Sequence, residues 1–462
     1  MSNISSLEEQ VIKNDYCIGC GVCSHVNTDY TVEIDQYGMY KAKYSGNGTP
    51  PKDDPALAVC PFSNKAKNED ELADKLFQKA KKKNEYIGKY IANYVGYVKE
   101  GAFREKGSSG GFGKWILNEL LREDKVDYVV QVISSQKEDT LFTFQIFTKE
   151  DNILSGSKSA YYPITLTDAL DFIRKNEGRY VITAVPCFSK AIRNLCLQDK
   201  VINERVKYVI GIICGHLKST AFAELLGWQL GVEPDDLGGI EFRDKIAGLQ
   251  ANEKGVYAIT KSGQLSGIKS SKKMFGGDWG HGLFKYKACD YCDDIVGETT
   301  DVSVGDAWLE GYMDDHNGNN VLVIRNEEID SLIKEGIAQG RLALKEVEES
   351  IVVESQWGGI KHRREGLSYR LFLKNKDNSW YPKKRVAPSN NISNQRKRVY
   401  ENREIVRDAS HQLFLKAKER GSWHYFVNLM MPYIKKLNYV PLYLKVVNKA
   451  LRTKEKLWSS SK

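Results

Sequence analysis

Tyr180–Cys187 reads YVITAVPC and Val206–Cys214 reads VKYVIGIIC. Each is a nearly unbroken apolar run of strand length, rich in β-branched residues. A helical pattern stands behind each, SKAIRNL after the first and TAFAELLGWQL after the second. A strand that is apolar on both faces must be covered on both faces. Such strands alternating with helices predict an α/β fold, a parallel or mixed sheet covered by helices. Both runs end on a cysteine, Cys187 and Cys214, where strand gives way to helix. In open α/β sheets that carboxyl edge is where ligands bind.

Working outward, VDYVVQVI (126–133) and LFTFQIFT (141–148) read as strands, and LTDALDFIRKN (166–176) as a helix. YVGYVKE (94–100) is a strand followed by the loop KGSSGGFG (106–113) and the helical KWILNELLRE. Strand, glycine-rich loop and helix present backbone N–H groups and a helix N-terminus to a phosphate. The loop is neither a Rossmann GxGxxG nor a Walker A motif, since no Lys-Ser/Thr follows the glycines. A tight turn with an N-cap is the plainer alternative. Further on come EFRDK (241–245), ACDYCDD (288–294) and DVSVGDAW (301–308).

The cysteines carry the chemistry. CIGCGVC places Cys17, Cys20 and Cys23 three apart, and Cys60-Pro61 supplies the cysteine–proline pair of bacterial ferredoxin patterns. That spacing predicts a 4Fe–4S cluster. Structural zinc is the alternative, but zinc knuckles come as two paired Cys-X2-Cys arms and only one arm is crowded here. Cys187, Cys214 and the pair Cys289 and Cys292 are enough for a second cluster, if they converge. Otherwise Cys187 and Cys214 are buried apolar thiols, the reading that also suits Cys196 inside its helical pattern. Four regions result. Residues 1–63 form a small ferredoxin-like α+β module with a hairpin, YTVEIDQYGMYKAKY, turning at Gly38. Residues 64–86 form a charged linker helix, 87–382 the α/β body, and 383–462 a helical extension.

Of 462 residues, 41% are hydrophobic and 28% charged, an ordinary globular balance. The start, MSNISSLEEQ, is unlike a signal peptide, and no apolar run has membrane-spanning length. Nine cysteines in clustered spacings suit a reducing compartment, so a cytoplasmic location is expected. From Lys383 onward there are 19 Lys+Arg against 5 Asp+Glu, a surplus of +14, whereas the rest of the chain sums to −6. Within this tail, WHYFVNLMMPYIKKL (423–437) and PLYLKVVNKALRTKEKLW (441–458) have apolar residues at near-helical spacing. Such a helix lies on an anionic membrane face, docks an acidic partner such as ferredoxin, or simply packs on the body. Its aromatics sit among aliphatics, unlike a nucleic-acid groove.

GSSGG, GSKSAYY, VPCFSKAI, IGIICGH, EFRDK, ACDYC and VSVGDAW follow CIGCGVC in that order. In this set, over roughly residues 10–370, the chain resembles the coenzyme F-420 hydrogenase/dehydrogenase beta-subunit family. That family includes hydroxymethyl-chlorophyll reductase and bacterial proteins of cell-surface polysaccharide loci. The resemblance implies a flavoprotein with FAD and one or two 4Fe–4S clusters. Carried over by position, it implies Cys17, Cys20, Cys23 and Cys60 as the first ligand set and Cys187, Cys214, Cys289 and Cys292 as the second. Gly107, Ser108, Ser109, Gly110, Gly111 and Lys158 fall on the flavin loops, and Arg243, Lys245 and Asp306 near the cofactor. Two departures stand out: Ser159-Ala160-Tyr161 where members read GSKY, and Ala184-Val185 where many read Gly-Thr before Pro-Cys. The long tail is closer to the polysaccharide-locus members than to hydrogenase subunits.

The implied function is an oxidoreductase passing electrons between a one-electron carrier such as ferredoxin and a small or glycan-linked substrate at the flavin. Lys158 or Lys245 would put positive charge near the ring, or be neutralised by Asp244. An alternative is an electron-transfer subunit oxidising reduced deazaflavin for a partner dehydrogenase or hydrogenase. A third is an assembly protein whose clusters are structural. His216 and His281 lie near the second cysteine set in sequence, and neither is assigned as a proton donor.

Overall fold

The computed structural model describes residues 6–48, 50–51, 53–137 and 139–439. The N-terminal hairpin forms as expected. β1 (Tyr30–Ile34) pairs antiparallel with β2 (Tyr40–Tyr44), and Gly38 takes a φ of 72° in the connection. The charged stretch that follows is only briefly helical. α1 spans Glu69–Leu76, opened by a capping box between Asn68 and Glu71. The lysines beyond it have no apolar stripe to bury, and Lys82–Asn84 pairs instead as a short strand with Gly88–Tyr90.

The body contains β3 (Ala92–Val98), β4 (Tyr128–Ser134), β5 (Phe142–Phe147), β6 (Tyr180–Ala184), β7 (Val206–Ile212), β8 (Leu237–Lys245), β9 (Lys254–Thr260), β10 (Val302–Asp306), β11 (Asn320–Ile324) and β12 (Leu342–Glu346). Eight of these form one mixed sheet in the order β12-β3-β11-β10-β7-β6-β4-β5. The central strands β10, β7, β6 and β4 are mutually parallel, and the flanking pairs are antiparallel. β8 pairs with β9, and β9 with Lys269–Ser270, in a separate three-stranded sheet.

Successive residues of the central strands point to opposite faces, and both faces are covered. α2 (Phe112–Arg122) places Trp115, Ile116 and Leu120 in one core with Val129, Val181, Ile210 and Val302. α3 (Pro186–Gln198) places Phe188, Ala191, Ile192 and Leu195 in another with Val130, Ile182 and Val209. Val22, Ala56, Leu57, Val59 and Phe62 belong to this second core, so the N-terminal module is packed directly onto the body.

The remaining helices used below are α4 (Thr220–Gln229), α5 (Glu349–Lys361), α6 (Asn394–Arg420) and α7 (Trp423–Asn438). α7 buries Phe426, Met430, Ile434 and Leu437 in a core with Phe284, Phe414 and Leu225. The apolar stripe read in the sequence as available to a membrane is therefore taken up internally along α7. The stretch PLYLKVVNKALRTKEKLW lies outside the described residues. Among the described residues no helix is long and apolar enough to cross a membrane. Phe426 is fully buried, so Phe426→Ala is expected to cost about 3–5 kcal/mol in chemical denaturation, the penalty for emptying a core aromatic site.

Candidate functional site

The carboxyl edge of the parallel strands gathers the predicted residues. Cys17 and Cys20 lie on a loop, Cys23 begins the short helix Cys23–Val26, and Cys60 ends the helix Ala56–Val59. Gly19 and Gly21 take φ of 66° and 83°, which lets the loop curl its thiols inward. The four thiols act on one another: burial, then Cys20, Cys17 and Cys60, hold Cys23 far above the usual thiol range. Cys20 is pushed up to about 12 by burial and then by Cys17. The N–H groups of Gly19 and Ala42 donate to Cys17 Sγ at 3.4 and 3.2 Å.

The second set converges as well. Cys187 is in the first turn of α3, behind Pro186 at its first position, and Cys214 follows β7. Cys289 lies in the turn Lys287–Tyr291 and Cys292 directly after it. All four line one small chamber. Burial, then Cys214, Cys292 and Cys289, hold Cys187 well above its usual value, and Cys20 of the first set adds to this. The two sets are thus neighbours. Leu217 N–H donates to Cys289 Sγ at 3.2 Å.

The eight thiols stand in two groups of four, a donor set that thiolate-binding metal centres use. Two sets of four soft sulfur donors fit iron–sulfur centres. Cys196 lies apart, on α3, where burial raises it to about 11 and its charged neighbours are Arg193 and Asp199.

Beside the second set opens a cavity of about 1190 Å³. Ile18, Cys214, His216, Leu217 and Arg363 line both spaces, so a single wall divides them. Gly107, Ser108, Ser109 and Gly111 of the glycine-rich loop face the cavity, with Gly113 and Lys114 of α2. Gly111 is the N-cap of α2 with φ 88° and no capping side chain. Gly110 faces away. A Cβ there would meet Asn320 N at 2.7 Å and Gly96 O at 2.8 Å, so its smallness serves the sheet.

EFRDK lies on β8, where the pairing with β9 slips between Glu241 and Asp244. That irregularity re-aims Arg243. Its guanidinium holds both oxygens of Asp306, at the end of β10, at 2.8 Å each. Burial opposes both charges, but each partner outweighs it, keeping Arg243 high and Asp306 low. Lys245 does not face the cavity. It donates to the carbonyls of Arg104 and Ser109 at 2.5 and 3.0 Å and braces the glycine loop from behind. Lys158 faces the cavity and pairs with Asp244 at 2.9 Å. Ser108 and Ser159 join the two loops through their hydroxyls, 3.2 Å apart.

Lys254, the first residue of β9, belongs to no sequence motif. It is 5% exposed, lines the cavity, and among the described residues its Nζ has no hydrogen-bond partner, nor has Arg243 Nε. Burial, then Arg243, bring Lys254 down to about 8. Burial, then Lys254, bring Lys245 to about 7, and burial, then Lys158, bring Lys114 to about 8. Cations therefore crowd this end of the cavity beyond what Asp306, Asp244 and Glu241 balance.

The other end is aromatic. Trp279 meets Tyr161 edge-on with centroids 4.6 Å apart, stacks on Phe222 at 5.9 Å, and meets His216 at 4.3 Å. Burial, then Lys218, hold His216 well below its usual pKa, so it is neutral. Arg363 closes the wall from a single wide π turn, His362–Gly366, after α5. Burial works against its charge, but Cys292, Cys214 and Cys289 outweigh that and raise its pKa. His281 is elsewhere, in contact with Asn438 of α7.

Residues 93–171 match the family described as coenzyme F420 hydrogenase/dehydrogenase, beta subunit N-term, and residues 177–350 match that subunit's C terminus. No curated relative matches the sequence. Among solved structures, a chain of the xenon-derivatized F420-reducing [NiFe] hydrogenase complex from Methanosarcina barkeri is similar at 16% identity. The match covers 65% of this chain and 98% of that one, with a TM-score of 0.48. Matched in order by both halves of one subunit's family description, across more than half of its length, this chain belongs to the coenzyme F420 hydrogenase/dehydrogenase beta-subunit family, a family of oxidoreductases.

Proposed function

We propose that the protein is an FAD-dependent iron–sulfur oxidoreductase, with a 4Fe–4S cluster at each thiol set, that passes electrons between a one-electron carrier and an organic substrate. The observation that carries this reading is the single cavity wall. On one side stand four thiols, and on the other a space roomy enough for a dinucleotide, with unbalanced cations around a glycine loop and a helix N-terminus. Ser108, Ser109 and Lys254, with the first-turn N–H groups of α2, would hold the pyrophosphate. Asp306 would keep Arg243 charged beside it. A bound flavin supplies the exchange between single electrons and a two-electron substrate. The aromatic end, with Trp279 37% exposed, would receive the substrate. A glycan-linked substrate of the polysaccharide-locus type is favoured by the helical extension, since the family match ends at residue 350 and α6 and α7 lie beyond it.

Anaerobic purification with iron, sulfide and flavin analysis tests the reading, and a screen containing nucleotide sugars and reduced deazaflavin separates the substrate classes. Lys254→Met is expected to weaken flavin binding about 10- to 100-fold, since a hydrogen bond to a charged group contributes about 1.5–3 kcal/mol. Lys254 loses its proton as pH rises through about 8, so wild-type flavin affinity should fall above that pH. The Lys254→Met variant should show a flatter profile. Equal affinity in both proteins at pH 7 would move the anion site elsewhere.

A further inference from the structure

Arg363 lies outside the family-matched residues and in no sequence motif, yet it stands in the wall between the thiol chamber and the cavity. It is 4% exposed. One terminal nitrogen donates to the carbonyls of Cys214 and Gly215 at 3.1 and 2.5 Å, which holds the guanidinium against the ligand loop. Its Nε has no hydrogen-bond partner. No carboxylate pairs with Arg363 among the described residues; Asp290 and Asp294, which flank the cysteines of the ligand turn, are engaged otherwise. Asp290 is held by Lys285 and Arg407, and Asp294 accepts from the N–H groups of Gly297 and Glu298. A buried cation without a carboxylate partner, fixed by the main-chain oxygens of Cys214, Gly215 and, at 3.4 Å, Gly359, favours added negative charge on whatever occupies either side of it.

We propose that Arg363 is a positioning and tuning residue for the second thiol set, supplying the fixed positive charge that raises the reduction potential of the centre held by Cys187, Cys214, Cys289 and Cys292. One-electron reduction adds one negative charge to such a centre. A cation against the ligand loop stabilises the reduced state more than the oxidised one. At the first set, Lys41 donates to the Cys17 carbonyl but also pairs with Asp15 at 2.5 Å, so its charge is balanced. The difference biases electrons toward the set that shares its wall with the cavity.

This inference rests on the reading that both sets bind clusters, and the experiment separates the two. The full chain is reconstituted anaerobically, counted for iron, and titrated with dithionite under electron paramagnetic resonance. A Cys289→Ser background assigns the two signals. About four iron in the wild-type chain would refute the two-cluster reading itself. With about eight iron, Arg363→Gln is expected to keep its iron and to shift the second-set potential to more negative values, leaving the first-set potential unmoved. Arg363→Lys, which keeps the charge, should recover most of the shift. An unmoved second-set potential in Arg363→Gln would overturn the proposal, as would an Arg363→Lys potential equal to that of Arg363→Gln. Loss of half the iron in Arg363→Gln would also overturn it, by making Arg363 a scaffold for the loop and not a source of charge.

Discussion

Replacing Cys289 with serine is expected to remove about half of the iron and sulfide from the reconstituted protein, from about eight of each to about four. Cys289 is buried, receives the Leu217 N–H, and shares its chamber with Cys187, Cys214 and Cys292. A serine oxygen is a poorer donor to a cubane iron than a thiolate, so the centre held by the other three is weakened to the point of loss on reconstitution. Cys20→Ser should remove the other half, because Cys20 belongs to the first set. Cys196→Ala should leave all the iron in place, since its charged neighbours are Arg193 and Asp199 and no member of either set. Full iron in Cys289→Ser, or a loss in Cys196→Ala, would show that the thiols are grouped differently.

Asp290→Ala is expected to destabilise the protein by about 3–5 kcal/mol in chemical denaturation, the cost of leaving buried charges unpaired. Asp290 is fully buried between the cysteines of the ACDYC turn. Its carboxylate binds Lys285 and Arg407 at 2.5 Å each, with His362 at 3.4 Å. Arg370 donates to its main-chain oxygen at 2.8 Å. Arg407 is on α6, so this contact ties the C-terminal helices to the second ligand turn. Removing the carboxylate strands Lys285 in the interior and leaves Arg407 only Asp408 and Glu404. Burial alone would raise the Asp290 pKa, but Lys285 and the hydrogen bond from His362 outweigh it and hold it well below the usual carboxylate range. The sign follows: this stabilisation is present above the unfolded carboxylate pKa of about 3.9 and is lost only as pH falls below it. A change under about 1 kcal/mol in Asp290→Ala would show that the cluster of charges is not cooperative.

Two apolar strands each ending on a cysteine were enough to derive the α/β class and the edge that carries the site. The reason is local: strands apolar on both faces have no stable place except the middle of a covered sheet. The ligand spacing of CIGCGVC and ACDYC is likewise a short-range property, visible along the chain. The hairpin at Gly38 was legible for the same reason, as was the helix behind the glycine loop.

Tertiary structure decided what depends on groups far apart in sequence. Convergence of Cys187 and Cys214 with Cys289 and Cys292 needs two strand ends and a distant turn brought to one chamber. The roles of the loop lysines also separated only in space: Lys245 braces main-chain oxygens, Lys158 is neutralised by Asp244, and Lys254, without a motif, has an Nζ with no hydrogen-bond partner among the described residues. The WHYFVNLMMPYIKKL stripe suited a membrane as well as a protein core, because periodicity records an apolar face and not what covers it. Phe284 and Phe414, distant in sequence from Phe426, cover it. Arg363 stands in no motif, and the charge environment around a buried side chain exists only after folding.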